Sequence, residues 1–293
     1  MQPTASEKAT LLLRALDAAL SAVPLIMKVY RSSFDTRFKA DGSPLTLADK
    51  MAHELICAKL QASGLPVISE EQEKPVMKPR EKSRVYWLVD PLDGTREFVQ
   101  RNGEFTVNIA LIGNGQPLSG VIAAPALDKA WFGSPGQEVR VMDNISSLPA
   151  SLRFSAGTDH RKFSCVLPRR ALPPQPIMAV SRSHSDPHTL ALLKRLRRIY
   201  PRLRQWAVGS ALKLCLLAEK KATLYARYSP TFEWDTAAGH AILRAAGGEL
   251  YALDTLMPLE YGKEGLRNPP LLAVARREGS EEFLSEFSSE EGV

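Results

Sequence analysis

Acidic side chains stand where short apolar runs end in this 293-residue sequence. Val85-Tyr86-Trp87-Leu88-Val89 leads directly into Asp90-Pro91-Leu92-Asp93-Gly94-Thr95, and Pro66-Val67-Ile68-Ser69 leads into Glu70-Glu71. Pro91 fixes one backbone dihedral and Gly94 permits a left-handed turn, so Asp90 and Asp93 can converge on one point beside the Leu92 carbonyl. Far along the chain, Trp234-Asp235-Thr236-Ala237-Ala238-Gly239 places Asp235 at the start of a helix. Its first turn is built of small residues, so another group can approach the backbone closely. Taken singly, Asp-Gly is a common turn and Asp a common N-cap. Gathered together, the acids need a cation, because two like charges about 4 Å apart repel by roughly 4 kcal/mol at an effective dielectric near 20. All are hard oxygen donors with no His or Cys at their spacing, which favours Mg²⁺ over Zn²⁺. Mg²⁺ held by a few carboxylates commonly takes a phosphate as its next ligand.

The elements that position these acids can be read from periodicity. An amphipathic helix opens the chain, with Ser6 as N-cap and Leu12, Leu16, Leu20 and Val23 at spacings of three or four. A second helix runs over about 48–62 with Met51, Leu55, Ile56 and Leu60 on one side. Strands follow at 66–69, 85–89 and 105–111, then the hairpin signal Gly113-Asn114-Gly115 and returning strands at 120–124 and 130–133. The first half thus reads as helices on a largely antiparallel sheet. In the second half, strands at 177–181, 205–208, 223–227 and 271–275 alternate with helices at 187–200, 211–220 and 236–246, and such alternation implies parallel βαβ units. Leu190, Leu193, Leu196 and Ile199 form the expected buried stripe of the first of these helices. The boundary falls near residue 150. An N-terminal α+β domain over 1–152 carries Glu70 and the Asp90–Asp93 acids, and a C-terminal α/β domain over 153–293 carries Asp235. The Pro-rich stretch 168–176 reads as a surface excursion.

Composition narrows the class. With 44% hydrophobic and 24% charged residues, the chain can build a core and is neither disordered nor a disulfide miniprotein. Cys57, Cys165 and Cys215 share no metal-finger spacing and read as reduced thiols of a cytoplasmic protein. No run is expected to reach the roughly 20 apolar residues that cross a bilayer. The best, 15–27, is interrupted by Asp17 and Pro24, and Glu7 argues against a secretory leader. Lys plus Arg (38) less Asp plus Glu (32) leaves +6, which suits anionic partners. Lys194, Arg195, Arg197, Arg198, Arg202 and Arg204 fall together, while residues 278–291 carry six Glu in a tail read as a solvated end. A basic run is more often a solvated helix face than a binding site. Peripheral contact with the anionic cytoplasmic face of the inner membrane stays open, as does the choice between monomer and homodimer. Aromatics beside the run are few (Tyr200, Trp206) and no RNA-binding signature is present, so no nucleic acid is expected.

Trp87-Leu88-Val89-Asp90-Pro91-Leu92-Asp93-Gly94-Thr95 resembles the D-P-[IL]-D-G-T signature of the inositol monophosphatase superfamily of lithium-sensitive Mg²⁺ phosphatases. Trp234 to Gly239 resembles that family's W-D-x-A-A-G, and the order, the separation of about 140 residues and the upstream Glu70-Glu71 agree. The resemblance covers about residues 10–275. It implies a layered αβαβα sandwich. Several stretches are similar to the 3′(2′),5′-bisphosphate nucleotidases of the CysQ type: Arg96-Glu97-Phe98 with Arg101 to Leu111, Ser181-Arg182-Ser183-His184, Gly209 to Lys213, and Pro230 to Asp235. Arg96 stands where Lys is frequent in that family, and residues 152–176 find no match.

The resemblance implies hydrolysis of the 3′-phosphate of adenosine 3′,5′-bisphosphate to AMP and phosphate, in the service of sulfate assimilation. It assigns Glu70, Asp90, Asp93, Asp235 and the Leu92 carbonyl as ligands of two or three Mg²⁺, with Asp90 bridging two. Thr95, hydrogen-bonded to Asp49, would orient the water and take its proton, beside Glu70. Asp49 also reads as an ordinary helix N-terminal acid. The amides of Gly94 and Thr95 would bind the transferred phosphate. Ser210, Lys213 and Arg227 would face the second phosphate and His184 the nucleotide, although Lys213 and Arg227 also read as surface charge and His184 as a loop hydrogen-bonding residue. Two rivals remain: an inositol monophosphatase or fructose-1,6-bisphosphatase with the same metal core, and a basic RNA- or partner-binding protein with a vestigial site.

Overall fold

The structure, a computed structural model, describes residues 2–33, 37–38, 44–72, 85–149, 159–168, 170–183 and 186–276. A short antiparallel pair, β1 (Arg37–Phe38) and β2 (Pro44–Leu45), precedes the main sheet. That sheet has seven strands in sequence order: β3 (Val67–Ser69), β4 (Val85–Asp93), β5 (Thr106–Gly113), β6 (Gln116–Ala124), β7 (Lys129–Gly133), β8 (Arg140–Asp143) and β9 (Cys165–Val166). Only β3–β4 is parallel. The turn from β5 to β6 has Asn114 and Gly115 both at positive φ (52° and 71°), as a two-residue hairpin of the right hand requires.

β4, β5 and β6 are apolar at nearly every position because both faces are covered. Trp87, Val89, Ile109 and Leu111 meet α1 (Ala5–Arg31) and α2 (Leu47–Gln61); Tyr86, Leu88, Ala110 and Ile112 belong to the core shared with α5 (Leu212–Ala218) and α6 (Glu233–Ala245). The first helix starts two residues earlier than expected. Thr4 is the cap, not Ser6: its amide donates to Glu7 Oε2 at 2.7 Å and its hydroxyl accepts the Glu7 amide at 3.3 Å. The helix also continues through Pro24, so by length and composition it would suffice to cross a bilayer, contrary to the sequence expectation. Half of that apolar window is buried inside the fold, and Asp17 pairs with Lys59 of α2 at 2.5 Å.

The second sheet has the order β11-β10-β12-β16-β14, with β10 (Ile177–Ser181), β11 (Arg204–Val208), β12 (Leu224–Arg227), β14 (Glu249–Ala252) and β16 (Leu271–Val274). β10 is parallel to β11 and β12, as expected, but β16 runs antiparallel to both β12 and β14. No α-helix lies between β14 and β16, and a return without a crossover pairs antiparallel. A small antiparallel pair, β13 (Thr231–Phe232) with β15 (Arg267–Asn268), leads into α6. On the outer face lies α4 (Pro187–Ile199), N-capped by Asp186. Its buried stripe is Leu192, Leu193 and Leu196, whereas Leu190 and Ile199 are exposed, because nine residues at 3.6 per turn put those two on opposite sides.

The layers are therefore α1/α2, sheet, α5/α6, sheet, α4. The first sheet reaches past residue 152 to take in β9, and one core cluster joins Tyr86 and Leu88 to Leu214 and Ile242, so the chain's halves share an interior. The small residues at the start of α6 serve that interior. A Cβ on Gly120 would lie 2.3 Å from Ala238 O, and one on Gly239 would lie 2.3 Å from Leu214 Cδ1. What approaches this backbone is protein.

Candidate active site

β4 does not stop at Val89. It carries the acids within its last turn of ladder, where Asp90 pairs with Asn108 and Asp93 with Thr106, three steps on one strand against two on the other. This is a β-bulge, and Pro91 occupies it without removing a ladder bond. The Leu92 amide donates to Asp90 Oδ1 at 3.0 Å. Gly94, at φ 87°, then swings the chain into α3 (Thr95–Val99). Glu70 follows β3 directly, its amide bonded to Val89 O at 3.0 Å. Asp235 stands in the first turn of α6 and accepts the Phe232 amide at 2.8 Å.

These three segments meet. Glu70, Asp90 and Asp235 each offer a carboxylate oxygen within 4.8 Å of the others. Asp93 and the Leu92 residue line the same cavity of about 260 Å³, but Asp93 Oδ2 is taken by the Ala211 amide at 2.7 Å and Asn108 Nδ2 at 3.2 Å. Burial pushes the Asp235 carboxyl well above the usual carboxylate range, Asp93 and Glu70 add to the rise, and the Phe232 amide and Arg227 oppose it. Asp93 is raised as well, first by burial, with Lys213 and Asn108 opposing. The charged forms of Asp93 and Asp235 are thus disfavoured by burial at this corner, with nearby carboxylates adding to the effect. An all-oxygen donor set in that condition fits a hard divalent cation.

Asp49, nearly fully buried at 1%, carries both of its readings at once. Its Oδ2 closes the capping box of α2, accepting the Thr46 amide at 2.7 Å and hydroxyl at 2.6 Å. Its Oδ1 faces the Thr95 hydroxyl at 3.3 Å. Thr95 Oγ1 is also 3.2 Å from Leu92 O, and its single proton serves one acceptor at a time.

The opposite wall is made by the carboxyl ends of parallel strands, where open α/β sheets bind ligands. Ser210 follows β11 at φ 46°, and its hydroxyl is buried with no partner among the described residues. Lys213 is buried at 5% rather than a surface charge; its ammonium donates to Ser210 O at 2.6 Å and lies 5.4 Å from the Tyr225 ring. Burial pulls its pKa down to about 8, Asp93 opposing and Arg227 adding. Arg227, at the end of β12, lines the cavity with its Nε 3.3 Å from Ser229 O. His184 lies outside the described residues, as does the acidic tail. Reading the sequence overlooked Asn108, Glu97 and Glu104. Asn108 sits on a strand as an isolated polar residue among apolar ones, and that interruption was the available signal.

Three comparisons bear on this geometry. The sequence model of the inositol monophosphatase family matches residues 7–287. The chain is 40% identical, over 86% of its length and 94% of the relative's, to the 3′(2′),5′-bisphosphate nucleotidase CysQ of Shigella flexneri. Among solved structures, CysQ from Bacteroides thetaiotaomicron superposes with a TM-score of 0.81 at 40% identity, covering 91% of this chain and 97% of that one. An inositol monophosphatase from Zymomonas mobilis shares the fold at 21% identity, with a TM-score of 0.71 over 98% of this chain and all of the other (100%). The bulged acidic strand, the layered sandwich and the match across nearly the whole sequence agree: the chain belongs to the inositol monophosphatase family.

Proposed function

We propose that this chain is a Mg²⁺-dependent phosphatase that hydrolyses the 3′-phosphate of adenosine 3′,5′-bisphosphate, giving AMP and phosphate. The observation that carries the reading is the 40% identity to a bisphosphate nucleotidase across 94% of its length. Sulfate assimilation supplies the physiological setting, and the free thiols of Cys57, Cys165 and Cys215 suit a cytoplasmic enzyme.

Glu70, Asp90, Asp93, Asp235 and the Leu92 carbonyl would hold magnesium. Bound there, it supplies a water of lowered pKa and offsets charge on the leaving oxygen. Thr95 would orient that water through its hydroxyl oxygen and take its proton as its own passes to Asp49 Oδ1. The Gly94 and Thr95 amides at the start of α3 face the transferred phosphate. Lys213 and Arg227 place positive charge on the far wall for the second phosphate, Ser210 offers a hydroxyl, and His184 would touch the nucleotide. The displacement is in line, with no covalent intermediate.

Phosphate release from adenosine 3′,5′-bisphosphate and from inositol 1-phosphate, measured in parallel with and without Mg²⁺, tests the reading. Faster hydrolysis of the bisphosphate that vanishes with the metal is expected. Preference for the inositol ester would reassign the chain to a sibling activity.

A further inference from the structure

The two walls of the cavity come from distant parts of the chain, and one residue presses on both. Glu104 lies between α3 and β5. A Cβ on Gly94 would stand 3.1 Å from its carbonyl oxygen and one on Gly209 would stand 2.9 Å away, so both turns are packed against it. Its carboxylate is fully engaged. Oε2 accepts the Gly209 amide at 2.8 Å and Arg182 Nε at 2.6 Å, while Oε1 accepts Arg182 Nη2 at 2.6 Å. The same Nη2 donates to Ala207 O at 2.8 Å. Arg182 directly follows β10 and Ala207 belongs to β11, so this planar fork ties the carboxyl ends of two parallel strands to the wall that carries the acids. Ser210, the next residue after the gripped amide, holds a left-handed backbone that non-glycine residues adopt only when surroundings impose it. Its buried hydroxyl, without a partner among the described residues, lines the cavity, and its carbonyl anchors the Lys213 ammonium. A buried donor without a protein partner calls for one from elsewhere.

We infer that Glu104 is a positioning residue: by holding the Gly209 amide and Arg182, it sets Ser210 and Lys213 to meet the part of the substrate distal to the scissile phosphate. The inference rests on the phosphatase reading for the identity of that substrate. The Glu104 carboxylate bonds Arg182 and Gly209, neither of which is a proposed ligand of the metal, so its loss weakens substrate binding more than turnover.

The test compares wild type with E104Q, S210A and the double variant. E104Q keeps the shape but leaves one carbonyl oxygen for three donors and turns an amide NH₂ toward Arg182. For E104Q, KM for adenosine 3′,5′-bisphosphate is expected to rise about tenfold or more with kcat changed by less than about threefold. Amide hydrogen exchange over residues 207–212 should quicken, and thermal stability should stay close to wild type. S210A should raise KM as well, and the double variant should lose less than the product of the two single effects, because Glu104 acts in part through the Ser210 hydroxyl. R182K, which keeps the charge and loses the fork, should resemble E104Q. Equal losses of kcat and KM quality on both esters, together with a lowered melting temperature, would reduce Glu104 to a structural role and overturn the inference. So would additive effects in the double variant. The wild-type preference between the bisphosphate and inositol 1-phosphate reports on the phosphatase reading alone, whereas the variant-to-wild-type KM ratio on the preferred ester reports on the clamp. If wild type hydrolyses neither, weaker binding of inorganic phosphate with Mg²⁺ to E104Q supports the clamp, and unchanged binding with unchanged exchange sinks it.

Discussion

The two walls of the cavity are built by opposite means. Asp90 lies in a strand of the main sheet, 1% exposed, with neighbours bonded on both sides and a bulge dictating where its carboxylate points. Ser210 follows β11 on a left-handed backbone, Lys213 lies in the first turn of α5, and Arg227 is the last residue of β12. Asp90 is thus fixed by the ladder itself. Ser210 sits on a connection that can change without rebuilding the sheet, as functional loops on a rigid scaffold do. Asp235 bridges the two plans, since α6 contributes to the acidic corner while packing between both sheets.

This contrast can be broken most sharply at the acids. Asp90→Asn and Asp235→Asn should each lower kcat/KM for the bisphosphate on the order of 10³-fold, the scale of removing one key electrostatic group, with circular dichroism unchanged. A loss of less than about tenfold for either would separate that residue from the ion site.

Next in size is the effect of the metal on stability. An ion that binds only the folded chain adds about 2.7 kcal/mol when present at about 100 times its Kd. Thermal melts with Mg²⁺ and with chelator should differ accordingly in wild type, and the difference should disappear in Asp90→Asn. Equal melts in wild type would mean that the acids do not gather an ion at rest.

Gly120→Ala probes the packing that carries Asp235 to the corner. The new methyl meets the Ala238 carbonyl, and such overpacking costs about 1–3 kcal/mol or more. Urea unfolding should show that loss, and activity should fall because α6 shifts. A neutral outcome would show that α6 and β6 can separate freely.

The smallest effect concerns the support beneath α6. His240 is fully buried, with Nε2 2.6 Å from Glu249 Oε1 and Nδ1 2.9 Å from the Tyr261 hydroxyl. The carboxylate only accepts, so Nε2 carries the proton and Nδ1 accepts from Tyr261. Burial lowers the His240 pKa from 6.5, with Glu249 opposing. Below about pH 6.5 the unfolded chain therefore takes up a proton that the folded chain declines, and stability falls with acidification through that window. His240→Asn should flatten this part of the urea-unfolding pH profile relative to wild type. The comparison between the two proteins carries the test, because Asp93 and Asp235 have raised proton affinities and act in the opposite sense. Parallel profiles would show that His240 takes up its proton alike in the folded and unfolded chain.

Much of the first wall was legible in the sequence, because the apolar runs that end in acids and the Asp90–Thr95 turn are local signals. The bulge was not, since it depends on the register with Asn108 and Thr106, fifteen or so residues away. In the second half, Leu190 and Ile199 were misplaced because one helix sequence offers two apolar stripes and only the sheet beneath selects between them. β14 and β8 went unread because short strands carry little periodicity. The burial of Lys213 and the grip of Glu104 on Gly209 are tertiary facts with no local trace.

The central claim is that Glu70, Asp90 and Asp235, from three separate segments, form a single site for a divalent ion. Anomalous diffraction from crystals soaked in Mn²⁺ as a stand-in for Mg²⁺ tests it most directly. A peak bounded by those three carboxylates is expected. Absence of any peak there, with the Asp235 side chain turned away from Asp90, would contradict it.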